Sequence, residues 1–176
     1  MKILMVGTGY VGLISGLCFA EFGYETVCVD TDEARLKIIG EGKDPFFEPG
    51  LKDLLKKHVN STKLLTLSSN LADAVKKADA IFITVGTPSR RLEDEADLSS
   101  IFDVVKEIAI NVANYSIIVT KSTVPVGTTK KIKKIILNHI SQDQFDVVSN
   151  PEFLREGSAI NDFMRPDRVV IGTDSK

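Results

Sequence analysis

Gly7, Gly9 and Gly12, with Thr8, Tyr10 and Val11 between them, are spaced for phosphate chemistry. In the order Gly7-Thr8-Gly9-Tyr10-Val11-Gly12 the first glycine permits a tight turn, the second lets the backbone approach a pyrophosphate, and the third lets a helix pack closely on a strand. The helix N-terminus adds N–H donors and a positive dipole. Such a cluster by itself also occurs in purely structural turns. Here an apolar run from Lys2 to Val6 precedes it, a helical-period stretch from Tyr10 to Phe22 follows it, and Asp30 closes the next apolar run about 20 residues on. Asp30 can accept hydrogen bonds from both hydroxyls of an adenosine ribose and would repel a 2′-phosphate, which points to NAD rather than NADP. Arg35 is near enough to reach the same cofactor, or equally to pair with Asp32 and Glu33 beside it. Thr84, Gly86 and Thr87, in Thr84-Val85-Gly86-Thr87-Pro88, could lie along the cofactor, although spacing alone reads them as a turn after a buried strand.

These residues need elements to hold them. Short apolar runs predict strands at Lys2–Val6, Glu25–Val29, Lys63–Leu67, Asp79–Val85, Ser116–Thr120, Phe145–Ser149 and Arg168–Ile171. Helical spacing predicts helices at Tyr10–Phe22, Asp32–Gly40, Leu51–His58, Ser69–Lys77, Leu98–Val112 and Gly127–His139. Glu41–Gly50 and Gly86–Asp97 read as loops, the latter carrying Arg90 and Arg91, and Asn150–Pro166 as loop with one helical turn. Alternation of this kind predicts an α/β fold, a doubly wound, mostly parallel, Rossmann-like sheet with ligands at the carboxyl ends of its strands.

Composition bounds the function classes. The chain has 176 residues, which fits one domain spanning 1–176 at the usual length of roughly 150 residues. Its 22 basic and 24 acidic side chains leave a formal net charge of −2, so no whole-chain field recruits nucleic acid or an anionic membrane. The lysines at 130, 131, 133 and 134 read as the solvated face of an amphipathic helix. Cys18 and Cys28 lie in apolar segments without CxxC spacing, which argues against disulfides or structural zinc and fits a reducing cytoplasm. No metal is expected, because His58 and His139 lack ligand partners at useful spacing and read as structural. Met1–Ala20 mimics a signal peptide, but Gly7, Gly9, Gly12 and Gly16 interrupt it and Glu21 follows at once, so the expectation is a soluble protein without a membrane partner.

Three longer segments are more specific: Pro45-Phe46-Phe47-Glu48-Pro49-Gly50-Leu51, Lys121-Ser122-Thr123-Val124-Pro125-Val126-Gly127-Thr128, and Ser149-Asn150-Pro151-Glu152-Phe153-Leu154-Arg155-Glu156-Gly157-Ser158-Ala159. Together they resemble the N-terminal half of the nucleotide-sugar dehydrogenases, the UDP-glucose/GDP-mannose dehydrogenase family, and the likeness continues to Arg165-Pro166-Asp167-Arg168. The resemblance implies two successive NAD-linked oxidations, UDP-glucose to UDP-glucuronate, through a thiohemiacetal and a thioester on a cysteine. It implies that Thr123 holds a catalytic water, that Glu152 serves acid/base work and thioester hydrolysis, and that Phe153, Leu154 and Arg155 lie along the substrate together with Glu152. The implied cofactor set is the glycine turn with Tyr10 and Val11, then Asp30, Arg35, Thr84, Gly86, Thr87, Thr123 and Glu156. From the residues alone, Thr123 ahead of Val124-Pro125 and Glu152 after Pro151 could equally shape or cap turns, and Lys121 reads as a strand-end surface lysine before a phosphate contact.

The family's nucleophilic cysteine, its dimerising central helix and its nucleotide-sugar-binding domain belong to a C-terminal half. Neither Cys18 nor Cys28, each in an apolar run, fits the nucleophile's place. The resemblance therefore implies a full-length enzyme that is a homodimer or higher, and a 176-residue chain that binds NAD without turning over UDP-glucose. GDP-mannose and UDP-N-acetylhexosamine dehydrogenases remain rivals, as does a non-catalytic NAD-binding module.

Overall fold

The computed structural model describes residues 1–87 and 97–174; Pro88, Arg90 and Arg91 of the expected loop lie outside the described residues. Strand β1 (Lys2–Val6) enters the glycine turn and helix α1 (Tyr10–Glu21), followed by β2 (Glu25–Val29), α2 (Glu33–Gly40) and α3 (Leu51–Leu55). Then come β3 (Leu65–Ser68), α4 (Leu71–Val75), β4 (Ala80–Ile83), α5 (Ser99–Asn111), β5 (Ser116–Thr120), α6 (Thr128–Leu137), β6 (Phe145–Ser149), α7 (Ala159–Met164) and β7 (Gly172–Thr173). The strand order is β3-β2-β1-β4-β5-β6-β7, parallel throughout except for β7, which runs antiparallel to β6. This is the doubly wound α/β topology, and its strand order reverses between β1 and β4, where such sheets bind ligands.

Period-two alternation along β1 divides the core. Leu4 and Val6 face α4, α5 and α6 through Leu71, Val75, Ile101, Val105, Ile132 and Ile136. Ile3 and Met5 face α1, α2, α3 and α7 through Leu13, Leu17, Ile39, Leu51, Leu55 and Ala159. On α6, Ile132 and Ile136 are buried while Lys130, Lys131 and Lys134 are exposed, the amphipathic arrangement that the sequence suggests. Asn70 caps α4, its side chain accepting from the Asp73 N–H at 3.0 Å.

Three elements depart from expectation. The helix beginning at Leu51 continues past Leu55 as a π-helical segment, Lys56–Ser61, which carries His58 into the interior. His58 is only 2% exposed, with Nε2 2.5 Å from Glu21 Oε2 and Nδ1 3.2 Å from Thr62 Oγ1, a structural role. No strand forms at Arg168–Ile171: pairing with β6 begins where Gly172 meets Ser149, so the residues before Gly172 run past the end of β6 and find no ladder partner. Within Asn150–Pro166, α7 is a six-residue helix rather than a single turn, held because Ala159 is fully buried against α1's face of the sheet.

Candidate active site

The glycine turn is locked from behind. Gly7 has φ of 107°, a backbone conformation that only glycine adopts without strain. A Cβ on Gly12 would sit 2.0 Å from the Gly7 carbonyl oxygen and 2.6 Å from Thr84 Oγ1, so α1 can approach β1 and β4 only with glycine there. Thr84 is buried beneath the turn, its hydroxyl 2.8 Å from the Val6 carbonyl and 3.1 Å from that of Gly7. Its side chain thus braces the loop from within the protein.

Gly9 differs from its neighbours. Its φ of −66° is open to any residue, and an added Cβ would meet nothing within 4 Å. No protein contact requires glycine at this point, which is the residue expected to lie against a pyrophosphate.

Asp30 sits at the end of β2, its side chain 13% exposed. Its Oδ2 accepts the Thr8 N–H at 2.7 Å and the Thr8 hydroxyl at 2.6 Å, and its Oδ1 accepts the Asp32 N–H at 3.0 Å. Burial pushes the Asp30 carboxyl up, but the Thr8 and Asp32 hydrogen bonds and the Arg35 guanidinium outweigh it, and the group is held below the usual carboxylate range. Arg35 bridges Asp30 at 3.6 Å and Asp32 at 3.5 Å while remaining partly exposed, so it is an ion-pair partner that also stands at the rim of the site. A cleft of about 370 Å³ opens here between the ends of β1, β2 and β4, lined by Gly7, Asp30, Gly86, Ser69, Val104 and Glu107. A carboxylate with acceptor capacity inside a cleft beside an open glycine turn suits an adenosine and its pyrophosphate.

The other end of the site is built from loops leaving β4, β5 and β6. Ser122 Oγ donates to the Val85 carbonyl at 2.8 Å and Thr87 Oγ1 to the Thr123 carbonyl at 3.4 Å, tying the first two loops together. The β5–β6 register pairs Thr120 with Ser149, so the loops carrying Thr123 and Glu152 depart side by side. Thr123 is exposed, and its hydroxyl makes no hydrogen bond among the described residues. Glu152 is half-buried and accepts the Leu154 N–H at 2.5 Å. Phe153 and Glu156 are exposed, while Arg155 is held by Asp162 through Nη2 at 2.7 Å and Nε at 3.1 Å.

Lys121 corrects the surface reading. It is only 6% exposed, with Nζ 3.3 Å from Asn150 Oδ1 and 5.5 Å from the centre of the Phe163 ring. Burial lowers its ammonium below the ordinary lysine range, and the Glu152 carboxylate opposes that shift. The strand end tucks it inward because α7 brings Phe163 across the carboxyl end of the sheet. Sequence reasoning also left Glu48 without a role, although its segment was conspicuous; the structure buries it against Tyr10 and Gly157.

The cysteines behave as expected of inert thiols. Both are buried, and burial first, with nearby carboxylates second, pushes each thiol up to about 12. Among the described residues no group of His, Cys, Asp or Glu could hold a metal ion, and no helix is long and apolar enough to cross a membrane.

Comparison with known proteins agrees with this geometry. The UDP-glucose 6-dehydrogenase of Rhizobium meliloti is 52% identical over 174 residues, covering 99% of this chain and 40% of that protein. The solved UDP-glucose dehydrogenase of Pyrobaculum islandicum superposes with a TM-score of 0.92 at 34% identity, covering 99% of this chain and 41% of that one. The GDP-mannose dehydrogenase of Pseudomonas aeruginosa, solved as a ternary complex, gives 0.93 at 35% identity over 98% of this chain and 41% of that one. The chain thus spans about two fifths of the length of these relatives. Residues 1–176 match the UDP-glucose/GDP-mannose dehydrogenase family, NAD binding domain, and the chain belongs to that family.

Proposed function

We propose that this chain supplies the NAD site and part of the catalytic rim of a UDP-glucose 6-dehydrogenase. The observation that carries the reading is the Asp30 acceptor in a cleft that Gly7 also lines, at a glycine turn whose Gly9 would place an added Cβ against nothing within 4 Å, in a chain 52% identical to a UDP-glucose 6-dehydrogenase. Bound NAD supplies the hydride acceptor for two successive oxidations, which together consume one water and take an alcohol to a carboxylate. The chain's residues do the rest from fixed positions. The glycine turn receives the pyrophosphate on backbone N–H groups, and Asp30 receives the adenosine ribose with Arg35 at its edge. Glu156, Gly86 and Thr87 extend the cofactor contacts toward the rim.

At the rim, Thr123 offers a free hydroxyl to hold a water, and Glu152 offers a carboxylate to take or give its proton. Phe153, Leu154 and Arg155 form the strip along which the sugar lies. The buried thiols of Cys18 and Cys28 cannot serve as the nucleophile of a covalent intermediate, so the 176-residue chain alone binds NAD and does not oxidise UDP-glucose. A GDP-mannose or UDP-N-acetylhexosamine substrate is the second reading, favoured by the equally close fit to the GDP-mannose dehydrogenase fold.

The test is NADH formation followed by absorbance. The product of the complete reading frame containing these residues is offered UDP-glucose, GDP-mannose and UDP-N-acetylmannosamine in turn. Two NADH per UDP-glucose, with the other sugars inert, is expected; preference for another sugar replaces the substrate, and sustained NADH production by the 176-residue chain alone refutes its role as a partial site.

A further inference from the structure

Glu48 is a carboxylate only 4% exposed, and no cation among the described residues pairs with it. Three donors converge on it instead. The Tyr10 hydroxyl donates to Oε2 at 2.5 Å, the Gly157 N–H donates to the same oxygen at 2.8 Å, and the Ile160 N–H reaches Oε1 at 3.4 Å. The Phe46 ring packs on Tyr10 with centroids 5.0 Å apart, and the Tyr10 oxygen lies 3.2 Å from the Gly157 nitrogen. Burial, then the Glu48 hydrogen bond, pushes the Tyr10 phenol well above its usual range, so it remains a donor at any working pH.

Between them the two oxygens of the Glu48 side chain accept all three bonds. An amide in its place would turn an N–H toward one of the donors, and an apolar residue would take the shared acceptor from the Gly157 and Ile160 N–H groups and leave the Tyr10 hydroxyl only the Arg155 carbonyl at 3.3 Å. The three donors come from two functional segments. Tyr10 opens α1 directly after Gly9, and Gly157, with φ of 85°, reverses the chain directly after Arg155 and Glu156. A pyrophosphate on the Gly9 backbone and a loop presenting Glu156 and Arg155 are therefore joined through one side chain.

We propose that Glu48 is a positioning residue that couples occupancy of the glycine turn to the order of the loop presenting Glu152–Glu156. Glu48 touches neither cofactor nor substrate and acts through Tyr10 and Gly157. The inference rests on the NAD reading above and deepens it, because it makes cofactor binding the event that sets the substrate strip.

The experiment uses the 176-residue chain, NAD as the probe, calorimetry for affinity and amide hydrogen exchange at Gly157 and Ile160 for loop order. In the wild type, NAD slows exchange at both amides by about tenfold or more. Glu48→Gln, nearly isosteric, lowers NAD affinity about tenfold and abolishes that NAD-induced slowing. Tyr10→Phe gives a smaller loss in the same direction, and the double variant is no worse than Glu48→Gln alone, because both act through one linkage. Wild-type affinity together with intact slowing in Glu48→Gln overturns the coupling, as does a wild type that binds NAD with no change at these amides. Losses that multiply in the double variant also overturn it, since independent structural roles would combine that way. A wild type that fails to bind NAD overturns the cofactor reading itself, an outcome visible before any variant is made.

Discussion

At the glycine-turn end of the cleft, Thr8 is fully buried, Thr84 is wedged against the Val6 and Gly7 carbonyls, and Asp30 accepts three hydrogen bonds. At the other end, Thr123, Phe153 and Glu156 stand exposed, and the Thr123 hydroxyl has no partner among the described residues. The first end is specified by the chain's own packing, so its geometry exists before a ligand arrives. The second presents side chains into water, where a carboxylate and a hydroxyl have little leverage on a reaction until something dry covers them. Preorganisation is therefore uneven: the glycine-turn end is held by the chain's own hydrogen bonds and packing, whereas the rim residues stand in water.

The contrast breaks hardest at Gly12. A methyl group there collides with the Gly7 carbonyl, so Gly12→Ala costs about 3 kcal/mol of stability or more by overpacking, and NAD affinity falls by about a hundredfold. Chemical denaturation and calorimetry read the two losses. Asp30→Ala comes next, removing the ribose acceptor and the Thr8 anchor together for about 2 kcal/mol of binding, roughly thirtyfold.

Asp30 also carries a pH signature. Its folded carboxyl lies below the usual value of 3.8, so its stabilisation is fully present above that pH and is lost as pH falls through the folded value. Asp30→Asn flattens this part of the acid limb of a stability-against-pH curve. An unchanged limb would mean that the Thr8 hydrogen bonds contribute nothing.

Gly9→Ala sharpens the comparison by separating binding from folding. Because its Cβ meets nothing, the melting temperature stays at the wild-type value while NAD affinity drops about tenfold. Equal losses of stability at Gly9 and Gly12 would show that both glycines are structural. Thr123→Val has the smallest effect, within about 0.5 kcal/mol of wild-type stability, because its hydroxyl makes no bond to lose. A larger change would place Thr123 in the folded framework rather than at an open rim.

The same asymmetry explains what the sequence makes legible. The glycine turn and Asp30 form a local pattern, because strand, turn and helix impose their demands on neighbouring residues, and the turn appears where those residues put it. Strand positions in β1, β2, β5 and β6 follow from short apolar runs for the same reason. Glu48 and Lys121 are different. Glu48 meets Tyr10 and Gly157 across 38 and 109 residues of chain, and Lys121 is covered by Phe163 from α7, so charge type suggests surface while tertiary contact decides burial. The strand expected at Arg168–Ile171 fails because pairing depends on where β6 ends, which apolar character does not encode.

The most direct test of a cofactor end completed within this chain is a calorimetric titration of the 176-residue protein with NAD and, separately, with NADP. Saturable binding of one NAD per chain, with NADP weaker by about tenfold because Asp30 repels its 2′-phosphate, is the expected result. Absence of saturable NAD binding, or a preference for NADP, would contradict it.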